Sequence, residues 1–357
     1  MAQIYTVTDA VLSPRELEWV RVAARAFPQL GTVSKAKRAR RSGELLLNGE
    51  STAATNTRVV AGDTLEYRLS LQRGSSATDN DTTSSLAQWT AVCKRQGLRI
   101  VFENDEFAVI VKPVGVHVTG CGPRTVERAL VALLNTPRPG ATPSVKRDDT
   151  LPTPHAVHRL DARVGGVLLV AKTRRLEVLL AAQLERHSVT KRYRAIVVGQ
   201  VSRESINALG GGDPELVLPP ELEDLQSELS FAQDVVDGRR CCTVVRVCHI
   251  SRSARYGWIS TVDLWPLTGR KHQLRIHMAR LGHPIVGDDL YHATAGADLP
   301  PVVQGRGLFL FAVAIAFDDA AIDGNRRRFQ IDEPPKFARF RHFCELNWTT
   351  AHQRAHH

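Results

Sequence analysis

From residue 98 onward, short apolar runs alternate with polar breaks. Residues 98–102 and 107–111 are apolar and are separated by Glu103, Asn104 and Asp105, which predicts a hairpin. Residues 164–171 form one continuous apolar run, the pattern of a strand buried on both faces. Residues 192–198, 242–247 and 258–265 predict three further strands. Leu176, Leu179, Leu180 and Leu184 recur at helical spacing and predict a helix over 174–187. A second helix is predicted over 273–281, with Leu274, Met278 and Leu281 inward and Gly282 closing it. Residues 136–154, rich in Pro, Gly and charge, predict a loop or insertion. Strands outnumber helices and are not followed by them one for one. That predicts a mixed α+β sheet and argues against a doubly wound parallel one.

The first 70 residues have their own pattern. Ser13, Pro14, Arg15 and Glu16 form a capping box with Pro at the first helical position, and Leu17, Val20, Ala24 and Phe27 follow on one face. A second short helix is predicted from Ser34, carrying Lys35, Lys37, Arg38, Arg40 and Arg41. Residues 45–47 predict a strand ending in an Asn48-Gly49 turn, and alternating Leu65, Tyr67 and Leu69 predict another. Residues 72–85 are rich in Gly, Ser, Thr, Asp and Asn, which predicts a flexible linker over 71–96. The expected organisation is a small module over 12–70, that linker, a large domain over 97–346 and a loose polar tail over 347–357.

Composition narrows the classes. Of 357 residues, 43% are hydrophobic and 24% charged, enough for a real core and unlike a disordered chain. The net charge of +10 points to an anionic partner such as nucleic acid or a membrane surface, although many basic proteins have neither. The longest apolar run, 308–317, is about half of the roughly 20 residues that a spanning helix needs, so no membrane partner is expected. No secretory signal is visible at the N-terminus, and six cysteines without C-x-x-C spacing fit reduced thiols. The expected location is therefore intracellular, with cytoplasm or nucleus ahead of the mitochondrion.

Three segments could carry chemistry. His158, Arg159 and Asp161 lie just before the apolar strand, at the rim of a core, where a carboxylate can be partly desolvated yet paired. A structural salt bridge at a strand entrance is the plainer reading. Thr268, Gly269, Arg270, Lys271, His272, Gln273 and Arg275 crowd donors at a helix start, as an anion site does. A solvated basic helix start is equally consistent. His272 and His277 are at i, i+5, which does not place two ligands on one helix face, so no metal is expected. Lys191, Arg192, Tyr193 and Arg194 set an aromatic among basic residues, a recipe for stacking a nucleobase, although a lone Tyr on a strand is often core.

Together these segments resemble the RluA-type RNA pseudouridine synthases. His158-Arg159-Leu160-Asp161 with the following Gly166 to Lys172, then Lys191 and Tyr193, then Thr268 to His277, then His283 to Asp288 occur in the family's order, and Lys112, Pro113 and Gly115 match a segment that precedes them. The resemblance covers about residues 98–345. It implies a mainly antiparallel synthase sheet and the isomerisation of uridine in RNA to pseudouridine, with no cofactor. It assigns Asp161 as the catalytic carboxylate, Arg275 as its ion-pair partner, and Tyr193 as the aromatic against the base. His158, Arg159, Arg270, His272 and Gln273 are expected to bind substrate. Residues 14–70 resemble the RNA-binding module of ribosomal protein S-four, which would use Lys35, Lys37, Arg38, Arg40 and Arg41. The expected partner is RNA, ribosomal ahead of transfer, and the expected state a monomer. An RNA-binding ribosome-assembly factor that has lost the activity is the alternative. Two departures stand out: the family's Thr-Ser-Gly after the Asp is Val164-Gly165-Gly166, and its Leu-His-Ala is Leu310-Phe311-Ala312.

Overall fold

The computed structural model describes the chain except for residues 1, 9–17, 28–29, 31, 42, 51–56, 69–78, 121, 136–148, 208–217, 297–298, 304, 320–323 and 356–357. It divides into two compact units, Met1–Thr82 and Thr83–His357.

The first unit contains β1 (Ala2–Thr6), α1 (Trp19–Ala26), α2 (Val33–Arg41), β2 (Leu45–Leu47) and β3 (Thr64–Arg68). The strands form an antiparallel sheet in the order β1-β3-β2. Trp19, Val20, Ala23, Phe27, Ala36, Leu45 and Leu65 fill its core. The expected capping box at 13–16 lies outside the described residues, and α1 starts after Glu18 without a side-chain cap. Asn48 (φ 51°) and Gly49 (φ 82°) make the expected turn, since both central positions need left-handed backbone.

The second unit contains all but the first residues of α3 (Asp79–Arg95), then β4 (Arg99–Glu103), β5 (Phe107–Lys112), α4 (Val126–Leu133), β6 (Thr150–Ala156), β7 (Gly165–Thr173), α5 (Arg174–Glu185), β8 (Thr190–Val198) and α6 (Arg203–Asn207). Then follow β9 (Ser230–Val236), β10 (Arg239–Ser253), β11 (Gly257–Pro266), α7 (Gln273–Arg280), β12 (Leu310–Asp318), β13 (Arg326–Gln330) and α8 (Pro335–Ala355). The sheet runs β4-β5-β7-β12-β8-β11-β10-β9, with β13 on β12 and β6 on β7. Only β7 and β12 pair in parallel among the described strands. The fold is therefore α+β with a mixed, mainly antiparallel sheet. All nine residues of β7 are buried, because the sheet is covered on both sides of it. One cover is α5, whose Leu176 and Leu180 pack with Phe107, Leu169, Ile315 and Phe317.

Three expectations need correction. The linker expected over 71–96 contains α3. Its Leu86, Trp89 and Cys93 stand at i, i+3, i+7, and this stripe wins over the polar residues before it. The Trp89 indole N–H donates to Thr125 O at 2.8 Å, and the Thr90 hydroxyl to Ala129 O at 3.0 Å. The loop expected over 136–154 contains β6, which meets β7 at Thr150↔Thr173 and His155↔Ala171 with an irregularity between. Pro152 and Pro154 fall in that irregular stretch, where a missing N–H breaks no ladder bond. The loose tail expected over 347–357 is helical to Ala355. The Thr349 and Thr350 hydroxyls donate to Glu345 O and Leu346 O, and Arg252 stacks between Trp258 and Trp348.

Candidate active site

The segment between β6 and β7 builds one wall of a cavity of about 440 Å³. The Asp161 to Val164 turn closes with Val164 N–H donating to Asp161 O at 3.0 Å. Lys112, fully buried, holds that turn from below. Its Nζ donates to the carbonyls of Pro113 (2.8 Å), Ala162 (3.2 Å) and Val164 (2.9 Å). Burial lowers its pKa to about 8, against the pull of Asp161. Gly115 N–H also donates to Ala162 O at 2.7 Å, so residues 112–115 set the height of the Asp161 turn.

The opposite wall is the turn between β11 and α7. Gln273 organises it: Oε1 accepts from the Thr268 hydroxyl (2.7 Å) and Arg270 N–H (3.1 Å), and Nε2 donates to Cys242 O (2.9 Å) and Thr243 Oγ1 (3.1 Å). A glutamine amide has two donor and two acceptor positions, and all are taken. Gln273 is therefore a brace of this turn, and it lines the cavity as well. His272, just before α7, has φ 57°, a left-handed backbone costing on the order of 1 kcal/mol in a residue with a Cβ. This backbone turns the ring into the cavity. Nε2 lies 3.5 Å from Asp161 Oδ2, and Nδ1 is 2.9 Å from the Tyr291 hydroxyl. Burial lowers the His272 pKa, with Asp161 pulling the other way.

Arg275 lies on the first turn of α7 and is almost fully buried. Its Nε and Nη2 donate to Asp288 Oδ2 and Oδ1, both at 2.7 Å. The expected pair between Arg275 and Asp161 is thus not formed, because Asp288 occupies the guanidinium fork. Backbone N–H groups of Leu290 and Tyr291 hold Asp288 in turn. Burial disfavours the Arg275 charge, but the Asp288 bonds outweigh it and its pKa is raised; the same bonds lower that of Asp288. The Arg275 guanidinium also lies 5.1 Å from the Tyr291 ring centre. Asp288 and Tyr291 escaped sequence reasoning as site residues, although Asp288 ends a quoted motif.

Tyr193 forms the floor, on β8 opposite Leu264 of β11 and Ala312 of β12. Burial and the Asp161 charge raise its pKa, so the phenol stays protonated. His158 accepts Leu169 N–H at Nε2 (3.2 Å), and burial drives its pKa down to about 3, so it is neutral. Arg159 is exposed at the rim. All eight residues expected in this domain, Asp161, Tyr193, Arg275, His158, Arg159, Arg270, His272 and Gln273, line the one cavity. In the first unit Lys37 and Arg40 are partly buried; the side chains of Lys35, Arg38 and Arg41 lie outside what is described.

Among the described residues no three His, Cys, Asp or Glu side chains form a metal group. His277 faces Cys241 Sγ at 2.9 Å and His283 faces Val198 O at 2.9 Å, each away from His272's partners. Among the described residues no helix is long and apolar enough to cross a membrane.

A family profile described as RNA pseudouridylate synthase matches residues 106–280. Ribosomal large subunit pseudouridine synthase D of Xanthomonas campestris is 30% identical over 272 residues, 76% of this chain and 70% of that protein. The tRNA pseudouridine synthase C of Yersinia pestis is 32% identical over 201 residues, 54% of this chain and 70% of that protein. Pseudouridylate synthase RPUSD2 of Homo sapiens is 29% identical over 213 residues, 60% of this chain but only 33% of that longer protein. The cavity's turn, floor and helix start all lie within the residues that the profile matches, and the chain belongs to the RluA-type RNA pseudouridine synthases.

Proposed function

We propose that the protein isomerises specific uridines in RNA, ribosomal RNA ahead of transfer RNA, with Asp161 as the catalytic carboxylate. The observation that carries this reading is the placement of Asp161 and Tyr193 in one cavity ringed by cationic side chains. The reaction breaks the bond between ribose C1′ and uracil N1 and forms one between C1′ and C5. One proton leaves C5 and one arrives at N1. Nothing is oxidised and no second substrate enters, so the stoichiometry asks for no cofactor.

Asp161 acts on the sugar, either at C1′ or on the proton at C2′. A carboxylate must be ionised for both, and the His272 ring beside it helps to orient it. Tyr193 presents a neutral aromatic face for the uracil. The target base must leave its stack, which costs a few kcal/mol, offset by cationic contacts to phosphates such as those Arg159 and Arg270 can offer. The preference for ribosomal RNA rests on the N-terminal unit and on relatives named for the large ribosomal subunit. The five described cysteines are free, which supports work in a reducing intracellular compartment.

Tritium release from RNA carrying 5-tritiated uridine tests the activity. The intact protein should release tritium and Asp161→Ala should not, and pseudouridine mapping with and without the protein identifies the RNA. Absence of release from every cellular RNA fraction would leave the RNA-binding assembly factor as the better reading.

A further inference from the structure

Lys191 has no part in the steps above. It stands two residues before Tyr193 on β8, so both side chains leave the strand on the same face, with Cα atoms about 6.6 Å apart. Both line the cavity that holds Asp161. The Lys191 side chain is partly buried, and burial lowers its pKa. Among the described residues its amine makes neither a hydrogen bond nor an ion pair. Two neighbouring buried cations are committed, Arg275 to Asp288 and Lys112 to three carbonyls. The titratable ring that Lys191 influences, His158, is neutral and offers no counter-charge. A partly desolvated, unpaired ammonium gains when an anion comes to it.

The reaction produces such an anion. When C1′–N1 breaks, the electron pair stays on N1 and its charge spreads over O2 and O4 of the ring. A base lying over Tyr193 has its edge within reach of a side chain two residues along the same strand face. We propose that the Lys191 ammonium hydrogen-bonds the detached uracil anion and is a catalytic residue for cleavage of the glycosidic bond. This rests on Asp161 and Tyr193 being the reacting pair. The ammonium keeps its protons. The ring's charge is lost when C5 uses an electron pair to bond C1′, and the exchange of the C5 proton for one on N1 completes the product. A lowered pKa suits this role, since a more acidic ammonium is a stronger hydrogen-bond donor to the anion.

The test is leaving-group dependence. Lys191→Met, Lys191→Gln and the intact protein are compared in single turnover on one substrate RNA carrying uridine or 5-fluorouridine at the target. Loss of the N-glycoside is read by nuclease digestion and chromatography, and RNA affinity is measured in parallel. Fluorine at C5 makes the uracil anion less basic and less in need of a donor. With uridine, Lys191→Met should slow cleavage about 100-fold, the scale of losing one preorganised donor. RNA affinity should stay within about threefold, and with 5-fluorouridine the deficit should shrink to about tenfold. Lys191→Gln, which keeps a neutral donor, should fall between. An equal deficit with both bases, or a loss confined to RNA affinity, overturns the proposal. If Lys191→Met does not fold, the ratio for Lys191→Gln decides on the same terms. An inactive intact protein would instead refute the reading of the site itself.

Discussion

Gly165 and Phe311 are partners across the parallel pairing of β7 and β12, and a Cβ on Gly165 would stand 2.8 Å from Phe311 Cε2. These are two of the positions where the chain departs from the pattern of the family it resembles, which has Ser and His there. The departures are therefore one change in space: the larger ring fits because its neighbour has no side chain. Gly166 beside it has no such freedom, since a Cβ there would lie 2.1 Å from Ala312 O.

Gly165→Ser should then cost about 1–3 kcal/mol by overpacking against the ring. Adding Phe311→His should return part of that loss, with a coupling of about 1 kcal/mol. The return is partial because Lys112 O and Val114 Cγ2 also lie 3.0 Å from the added atom. Denaturant melts of the four proteins in the cycle measure the coupling. Strictly additive costs would mean that the two positions are independent.

Asp288→Asn should be far more damaging than its distance from the chemistry implies. It leaves the Arg275 guanidinium buried without its counter-charge, a loss of about 3–5 kcal/mol for a broken buried pair. Asparagine keeps an acceptor oxygen for the Leu290 and Tyr291 N–H groups, but its NH2 would face the Arg275 guanidinium, donor against donor, and so disturb the turn whose Tyr291 hydroxyl meets His272. Melting and tritium release should fall together. Full stability with full activity would show that Arg275 needs no partner.

Acid should destabilise the fold before most carboxylates titrate. Burial holds His277 down to about 4 and His158 down to about 3. In the unfolded chain both titrate near pH 6.5, so below that pH the unfolded state binds more protons than the folded one. Their stabilising effect is complete above about pH 6.5 and is lost as pH falls, until about 4 for His277 and about 3 for His158. Each can contribute a slope of up to about 1.4 kcal/mol per pH unit. The stability measured between pH 6.5 and 4 should fall with this sign, and His277→Gln should remove one proton's worth of slope. An unchanged slope in His277→Gln would mean that this ring is not buried neutral.

The basic run of α2 offers a salt-dependence test. Changing Lys35, Lys37, Arg38, Arg40 and Arg41 together to Ala should weaken RNA binding. It should also reduce the slope of log affinity against log salt by about 0.7–0.9 for each phosphate that is no longer neutralised. An unchanged slope would assign the run to a solvated helix face.

Much of the fold was legible because local pattern decided it. The apolar run at 164–171 can only be a strand covered on both faces, and β7 is that strand. The leucines of α5 and the hairpin of β4 and β5 follow from spacing and from the polar residues between them. The helix at 79–95 was hidden because its stripe is short and starts inside a polar, Gly- and Ser-rich stretch. At the site, the motifs located the cavity's residues but not their partners. Gln273 looked like a free donor, and only the approach of Cys242 and Thr243 from β10 shows it saturated.

The sequence by itself determined the family, the mixed character of the sheet and the residues that crowd the cleft, because these rest on periodicity and on motifs in a fixed order. Only the tertiary structure decided that Arg275 binds Asp288 and leaves Asp161 beside His272. It alone set Gly165 against Phe311 and left Lys191 without a partner in the cavity. Each of these depends on which side chains long-range packing brings within hydrogen-bond or van der Waals distance, a choice no local spacing encodes.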